Sequence, residues 1–255
     1  MDIGSALALI SGGASGLGLA TAEAVIAGGG RAVLMDVQDE AGKAAAARLG
    51  ANAHYVHADV TQEAEVDAAV AEAVKLMGGI NFAVNCAGVV APGRAVGKDG
   101  ALPGAKFSRV IAINLIGTFF VNKAVAAVMQ HNTPNAAGER GLILQTASVA
   151  AFDGQIGQPA YAASKAGVVG MTLPLAREFA RFGVRVVTVA PGLFETPMMA
   201  SLPEEAQKSL GAMVPFPSRL GYPSEYAQLA LAIFANPMLN GETIRLDGAI
   251  RLEPK

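Results

Sequence analysis

Residues 11–20 read SGGASGLGLA, between a short apolar run, ALALIS at 6–11, and an alanine-rich stretch at 17–28. Gly12, Gly16 and Gly18 stand in the pattern G-x-x-x-G-x-G. A chain that leaves a strand and enters a helix within so few residues needs glycine for its backbone angles. The missing side chains also let a pyrophosphate approach the backbone. The helix N-terminus then offers it N–H groups and the positive end of a dipole. The stretch predicts strand, phosphate-binding turn and helix, the opening of a dinucleotide-binding unit. Asp36 supports that reading: it ends the next apolar run, RAVLMD at 31–36, 18 residues after Gly18. A carboxylate there can accept from adenosine ribose hydroxyls and would repel a 2′-phosphate, which points to NAD rather than NADP. The competing use of such an aspartate is to cap the next helix. No Lys or Arg occurs between 11 and 20, and Arg31 starts the run that Asp36 ends.

The same rhythm continues along the chain. Short apolar runs at 6–11, 31–36, 53–58, 80–85, 141–146, 184–189 and 242–246 are the strand candidates. Helical stretches at 17–28, 39–48, 62–77, 105–131, 161–181 and 224–235 lie between them. Strands this continuously apolar are covered on both faces. Alternation of strand and helix implies parallel strands joined by right-handed crossovers. The expectation is one α/β domain over residues 1–255, a Rossmann-type, doubly wound parallel sheet with helices on both faces. Residues 191–223, rich in Pro, Met and Phe, break the alternation just after a strand, where a substrate lid could sit. Within them Met198, Met199, Leu210, Met213 and Phe216 either line an apolar acyl pocket or pack a lid helix onto the core.

Composition removes several classes of function. The chain has 255 residues, 52% apolar and 16% charged, which suits a large buried core and argues against disorder. Net charge is −2 with no basic run of five, so nucleic acid and anionic membrane partners have no electrostatic support. No apolar run approaches the ~18 residues of a membrane span. The first residues, MDIGSALALI, lack the basic region of a signal peptide, and the cytoplasm is the expected compartment. Cys86 is the single cysteine, which excludes a disulfide within the chain and fits a reducing compartment. His54, His57 and His131 have no metal-ligand company, and no metal is expected.

Further motifs follow in order: Asp59 after the third strand, NCAG at 85–88, Asn114, Ser148, Y-x-x-x-K at 161–165 and PG at 191–192. Together with the glycine turn this set resembles the short-chain dehydrogenase/reductases over about residues 6–249. The 13-residue gap between Ser148 and Tyr161 is the usual one in that family. The resemblance implies a seven-stranded parallel sheet of order 3-2-1-4-5-6-7. Longer stretches, among them TASVAAFDGQIGQPAYAASK, APGLFETP and LNGETIRLDGAIR, are similar to one branch. That branch is the type II 3-hydroxyacyl-CoA dehydrogenases, also known as type 10 17β-hydroxysteroid dehydrogenases. Its members oxidise 3-hydroxyacyl-CoAs with NAD, act on some steroids and are typically homotetramers. Residues 91–106, APGRAVGKDGALPGAK, are shorter than the matching segment of the mammalian members and unlike it.

Carried onto this sequence, the resemblance implies that Gly12, Ser15, Gly16, Leu17 and Gly18 form the pyrophosphate turn. Asp36 would bind the adenosine ribose, and Asp59 and Val60 would line the adenine pocket. Asn85, Cys86, Ala87 and Gly88 would offer backbone near the ribose. Tyr161 and Lys165 would hold the nicotinamide ribose. Pro191, Gly192, Phe194 and Thr196 would reach the carboxamide end.

Tyr161 and Lys165 lie one helical turn apart on one face. A phenol titrates near ~10 and is a poor base at neutral pH; a neighbouring ammonium stabilises its phenolate. Tyr161 is therefore expected as the base that takes a substrate hydroxyl proton, with Lys165 tuning it. Ser148, in the loop after the fifth strand, is expected to hydrogen-bond the substrate oxygen. Asn114 is a polar amide in an apolar helix; the resemblance favours a water-holding station in a proton relay ending at Lys165. Gln155, between Ser148 and Tyr161, is a candidate substrate contact, with a surface loop residue as the alternative. The chief rival activity is 3-oxoacyl-(acyl-carrier-protein) reduction, which usually prefers NADPH and which Asp36 opposes. A steroid or alcohol dehydrogenase shares the same catalytic set, and a non-catalytic nucleotide binder would not need it.

Overall fold

The computed structural model describes residues 1–98, 100–200 and 203–254, with the backbone alone at Met198. Seven strands form one parallel sheet: β1 (Leu7–Ser11), β2 (Arg31–Asp36), β3 (Ala53–His57), β4 (Phe82–Asn85), β7 (Gly141–Thr146), β8 (Val184–Pro191) and β9 (Thr243–Leu246). Their spatial order is β3-β2-β1-β4-β7-β8-β9, the order the resemblance implies. The helices are α1 (Gly16–Ala27), α2 (Asp39–Leu49), α3 (Glu63–Met77), α4 (Gly104–Ile111), α5 (Gly117–Met129), α6 (Pro159–Phe179) and α9 (Pro223–Ala235). Two short helices, α7 (Pro197–Ala200) and α8 (Glu204–Ala212), occupy the stretch expected as a lid.

Alternating strand residues feed two cores, because successive side chains leave a strand on opposite faces. Leu9, Val33, Met35, Ala83, Ile143 and Val186 pack beneath α3, α5 and α6. Ile10, Leu34, Phe82, Val84, Leu144 and Val187 pack beneath α1, α2 and α9. Each such side chain contributes roughly 1.5–3 kcal/mol on burial. Both faces of the sheet are thus covered by apolar packing.

Three features were not in the sequence reading. The expected helix at 105–131 is continuous but contains a wide π-helical turn, Ala112–Ile116, with Asn114 at its centre. A two-stranded hairpin, β5 (Val96–Gly97) with β6 (Gly100–Ala101), stands between β4 and α4. The helical segment Gly104–Met129 is also long and apolar enough by composition to cross a membrane, although no uninterrupted apolar run signalled it. Half of its apolar window is buried inside the protein, where Val121, Val125 and Met129 join the core beneath the sheet.

Candidate active site

The turn after β1 is as tight as its glycines allow. Gly12 has φ 66°, and a Cβ there would stand 2.6 Å from the Ala87 nitrogen. A Cβ on Gly18 would meet the Gly12 carbonyl oxygen at 2.3 Å. Ser15 precedes α1 without capping it through its side chain, so the first-turn N–H groups are left for another acceptor. Thr196 flanks the same turn: a Cβ on Gly16 would lie 3.6 Å from its Cγ2. The carboxylate of Asp36 lies against this turn, accepting from the Ala14 N–H (3.1 Å) and the Gln38 N–H (3.1 Å). Asp36 therefore braces the turn; its Oδ1 also accepts from the Gln38 amide (3.4 Å), while Oδ2 keeps a lone pair for a ribose hydroxyl. Arg31 spends its guanidinium at the far end of β2, on the carbonyls of Leu76 (2.7 Å) and Met77 (3.0 Å).

The other residues expected around the cofactor divide into backbone and side-chain cases. Asp59 accepts from the Thr61 N–H (2.9 Å), and Val60 is buried against Gly117 of α5. Asn85 is buried, with its amide donating to Asn122 (2.8 Å), and the Cys86 thiol lies 3.5 Å from the Thr146 hydroxyl. Burial pushes the Cys86 thiol above its ordinary value, so it stays protonated at neutral pH. Both side chains point into the protein, and of this turn the backbone of 85–88 is what remains to offer. Gly192 donates to the Leu246 carbonyl (2.9 Å), with Pro191 buried at the end of β8. The Phe194 ring is buried and packs on Gly221.

The catalytic candidates converge at the carboxyl ends of β4 and β7. The Ser148 hydroxyl faces the Tyr161 phenol closely enough to favour its ionised form, and it accepts from the Ala150 N–H (3.1 Å). Lys165 is buried, with Nζ 5.8 Å from the Tyr161 ring centroid and donating to the Thr146 carbonyl (2.7 Å). That is its only hydrogen bond among the described residues, so two N–H groups of a buried ammonium await acceptors such as ribose hydroxyls. Burial pulls its pKa down to about 8, against an opposing pull from the Cys86 thiol. Gly88 sits beside this ammonium; a Cβ there would lie 3.5 Å from Nζ.

One expectation is corrected here. The phenol of Tyr161 is not lowered in the free protein: burial pushes it above 10.0, and only the Ser148 hydroxyl works the other way. The field of Lys165 at this distance does not outweigh desolvation. The amide of Asn114 is engaged with its neighbours on both sides. Its Oδ1 accepts from the Val89 N–H (2.9 Å), and its Nδ2 donates to the Val89 carbonyl (3.0 Å) and the Ser164 hydroxyl (3.0 Å). The side chain ties the turn after β4 to α6, and its carbonyl accepts from Thr118 (2.8 Å).

Gln155 is engaged too. It donates to the Glu253 carbonyl (3.0 Å) and accepts from Gln158 (3.3 Å), which ties it to the C-terminal segment. In the expected lid, Phe216 is 83% exposed and packs on no core, while Leu210 and Met213 are half-buried. The side chain of Met198 lies outside the described residues. Thr146 and Tyr226 were missed. Their hydroxyls pair at 2.8 Å beneath Lys165, and Tyr226 is fully buried. Thr146 meets Lys165 through a carbonyl, which every residue carries, so no residue code announced it.

A family model described as short chain dehydrogenase matches residues 6–207. The chain belongs to the short-chain dehydrogenase family, and with it to the oxidoreductases that work with a nicotinamide cofactor. Among curated relatives, the Homo sapiens protein named 3-hydroxyacyl-CoA dehydrogenase type-2 is 53% identical over 250 residues, covering 97% of this chain and 96% of that protein. The Drosophila melanogaster protein of the same name is 50% identical over 254 residues, covering 99% of this chain and 100% of that one. The crystal structure of 3-hydroxyacyl-CoA dehydrogenase type-2 from Mycobacterium avium superposes with a TM-score of 0.94 at 43% identity, covering 100% of this chain and 98% of that one.

Proposed function

We propose that this protein is an NAD-dependent 3-hydroxyacyl-CoA dehydrogenase, interconverting 3-hydroxyacyl-CoA and 3-oxoacyl-CoA. The observation that carries the proposal is the Ser148, Tyr161 and Lys165 cluster at the mouth of a glycine turn braced by Asp36. The near full-length identity to proteins named for this activity supplies the substrate class. The tight turn, the uncapped first turn of α1 and the two unused N–H groups of Lys165 fit a dinucleotide. A carboxylate at 36, with no cation beside it, favours the unphosphorylated ribose of NAD.

A bound nicotinamide would supply the hydride acceptor for carbon 3 of the substrate. The chain's own residues do the rest. Ser148 holds the substrate oxygen and donates to it as it becomes a carbonyl. Tyr161 takes the hydroxyl proton. Lys165 orients the nicotinamide ribose and adds positive charge near the phenolate that forms. Residues 191–223 serve as the lid over the acyl chain, closing one domain that spans 1–255. We further propose that it is a cytoplasmic homotetramer acting in fatty acid metabolism, the state and role that its family resemblance suggests. The initial rate of NADH oxidation by acetoacetyl-CoA tests the proposal, and preference for an acyl-carrier-protein thioester or for NADPH overturns it.

A further inference from the structure

Ser148 and Tyr161 act on one substrate oxygen, yet they stand on different elements. A loop, residues 152–158, joins the short turn after Ser148 to the start of α6. Its own chemistry does little to fix it: it contains two glycines and lies on the surface. Gly93 donates to the Gly157 carbonyl (2.7 Å), and the rest of the loop's support comes from the last strand and the segment beyond.

Arg245, on β9, is the hub. Its Nη2 donates to Asp153 Oδ2 (2.6 Å) and its Nη1 to Asp153 Oδ1 (3.3 Å), a two-pronged pair with the loop. Its Nε donates to Asp247 (2.7 Å), and Nη2 also reaches the Ile250 carbonyl (2.9 Å), so one guanidinium grips strand, loop and tail together. The guanidinium also lies 5.4 Å from the centre of the Phe152 ring. Beyond Ile250 the tail runs along the loop. The Leu252 backbone lies by the Asp153 carboxylate and helps hold its pKa down, the Ile156 N–H donates to the Pro254 carbonyl (2.9 Å), and Gln155 donates to the Glu253 carbonyl (3.0 Å). Gln155 in turn supports the first turn of α6: its carbonyl and its side-chain oxygen both accept from Gln158, the residue that precedes the helix carrying Tyr161.

We infer that Arg245, Asp153 and the segment Leu252–Pro254 form a clamp that sets the spacing of Ser148 and Tyr161. They are positioning residues; none touches substrate or cofactor. The inference rests on the proposed dehydrogenase reading, because it needs a reaction in which both hydroxyls meet one oxygen. Apart from Lys165, further along α6, the cofactor contacts lie elsewhere, on the turn after β1 and the end of β2, so opening the clamp acts mainly on the acyl half of the reaction.

The test compares three variants with the wild-type enzyme: Asp153→Asn, a chain ending at Arg251, and the two combined. The readouts are kcat/KM for acetoacetyl-CoA, NADH affinity by fluorescence titration, and Tm. Each single change is expected to lower kcat/KM about tenfold while NADH affinity stays within about twofold. Because both changes open one clamp, the combined variant should be little worse than either alone. Unchanged kcat/KM overturns the inference. A parallel fall in NADH affinity, or independent, multiplying losses, shows general damage and overturns it too. Arg245→Lys, which keeps the charge but not the fork, should behave like Asp153→Asn. If the wild-type enzyme does not turn over acetoacetyl-CoA, the proposed function fails first and the clamp is not what failed.

Discussion

Tyr161 does its work only as a phenolate, and its surroundings make that form costly. Burial raises the phenol above 10.0, while the Ser148 hydroxyl pulls the other way. Oxidation needs the deprotonated base and reduction the protonated acid. The kcat/KM for 3-hydroxybutyryl-CoA oxidation should therefore climb through pH 6–9, while acetoacetyl-CoA reduction stays level and declines only at alkaline pH. A pH-independent oxidation rate would remove Tyr161 as the base. Tyr161→Phe should lower turnover by about 10³-fold and leave NADH affinity in fluorescence titrations unchanged. These residues were legible because the chemistry fixes residue types and a helix fixes their spacing. The direction of the phenol's shift was not legible: it depends on how deeply α6 is covered, which no local spacing encodes. The inward turn of Asn85 and Phe194 escaped for the same reason, since a motif names a residue without saying which of its atoms faces the ligand.

Among the elements, the β1–α1 turn is the most strictly specified. A methyl on Gly18 would meet the Gly12 carbonyl at 2.3 Å, a distance that forces the backbone apart. Gly18→Ala should cost about 2–3 kcal/mol, read as a lower midpoint in urea, and should weaken NADH binding. An alanine variant with wild-type NADH affinity would show that the turn is not where the cofactor binds. The turn could be read from SGGASGLGLA because glycine has no substitute at such approaches. The π-helical turn around Asn114 could not, because apolar periodicity marks a helix without revealing one extra residue in a turn. The hairpin at 96–101 was equally silent: two-residue strands of Val, Gly and Ala carry no alternation to detect.

At the scale of the molecule, the two ends of the sheet have separate tasks. The carboxyl edge holds the catalytic cluster, and the amino edge is locked by Arg185 at the start of β8. That side chain is 5% exposed and binds Glu139 (2.8 Å) and the carbonyls of Ile233, Phe234 and Leu239. Burial alone would raise the carboxyl of Glu139, but Asn135 and Arg185 hold it below 4.5. Its contribution to stability is thus present above that value and is lost as pH falls through the lowered one. Glu139→Gln should cost about 3–5 kcal/mol at pH 7 by leaving Arg185 unpaired, with NADH affinity unaltered at temperatures where the variant is folded. Strand order and the two cores followed from alternation and the family resemblance. This lock did not, because Glu139 and Arg185 lie 46 residues apart and meet only in the folded chain.

The central claim is tested most directly by initial rates with acetoacetyl-CoA, measured side by side with NADH and with NADPH. Rapid turnover with NADH and a rate at least about tenfold lower with NADPH is the predicted result. Preference for NADPH, or turnover confined to a carrier-protein thioester or a steroid, would contradict it.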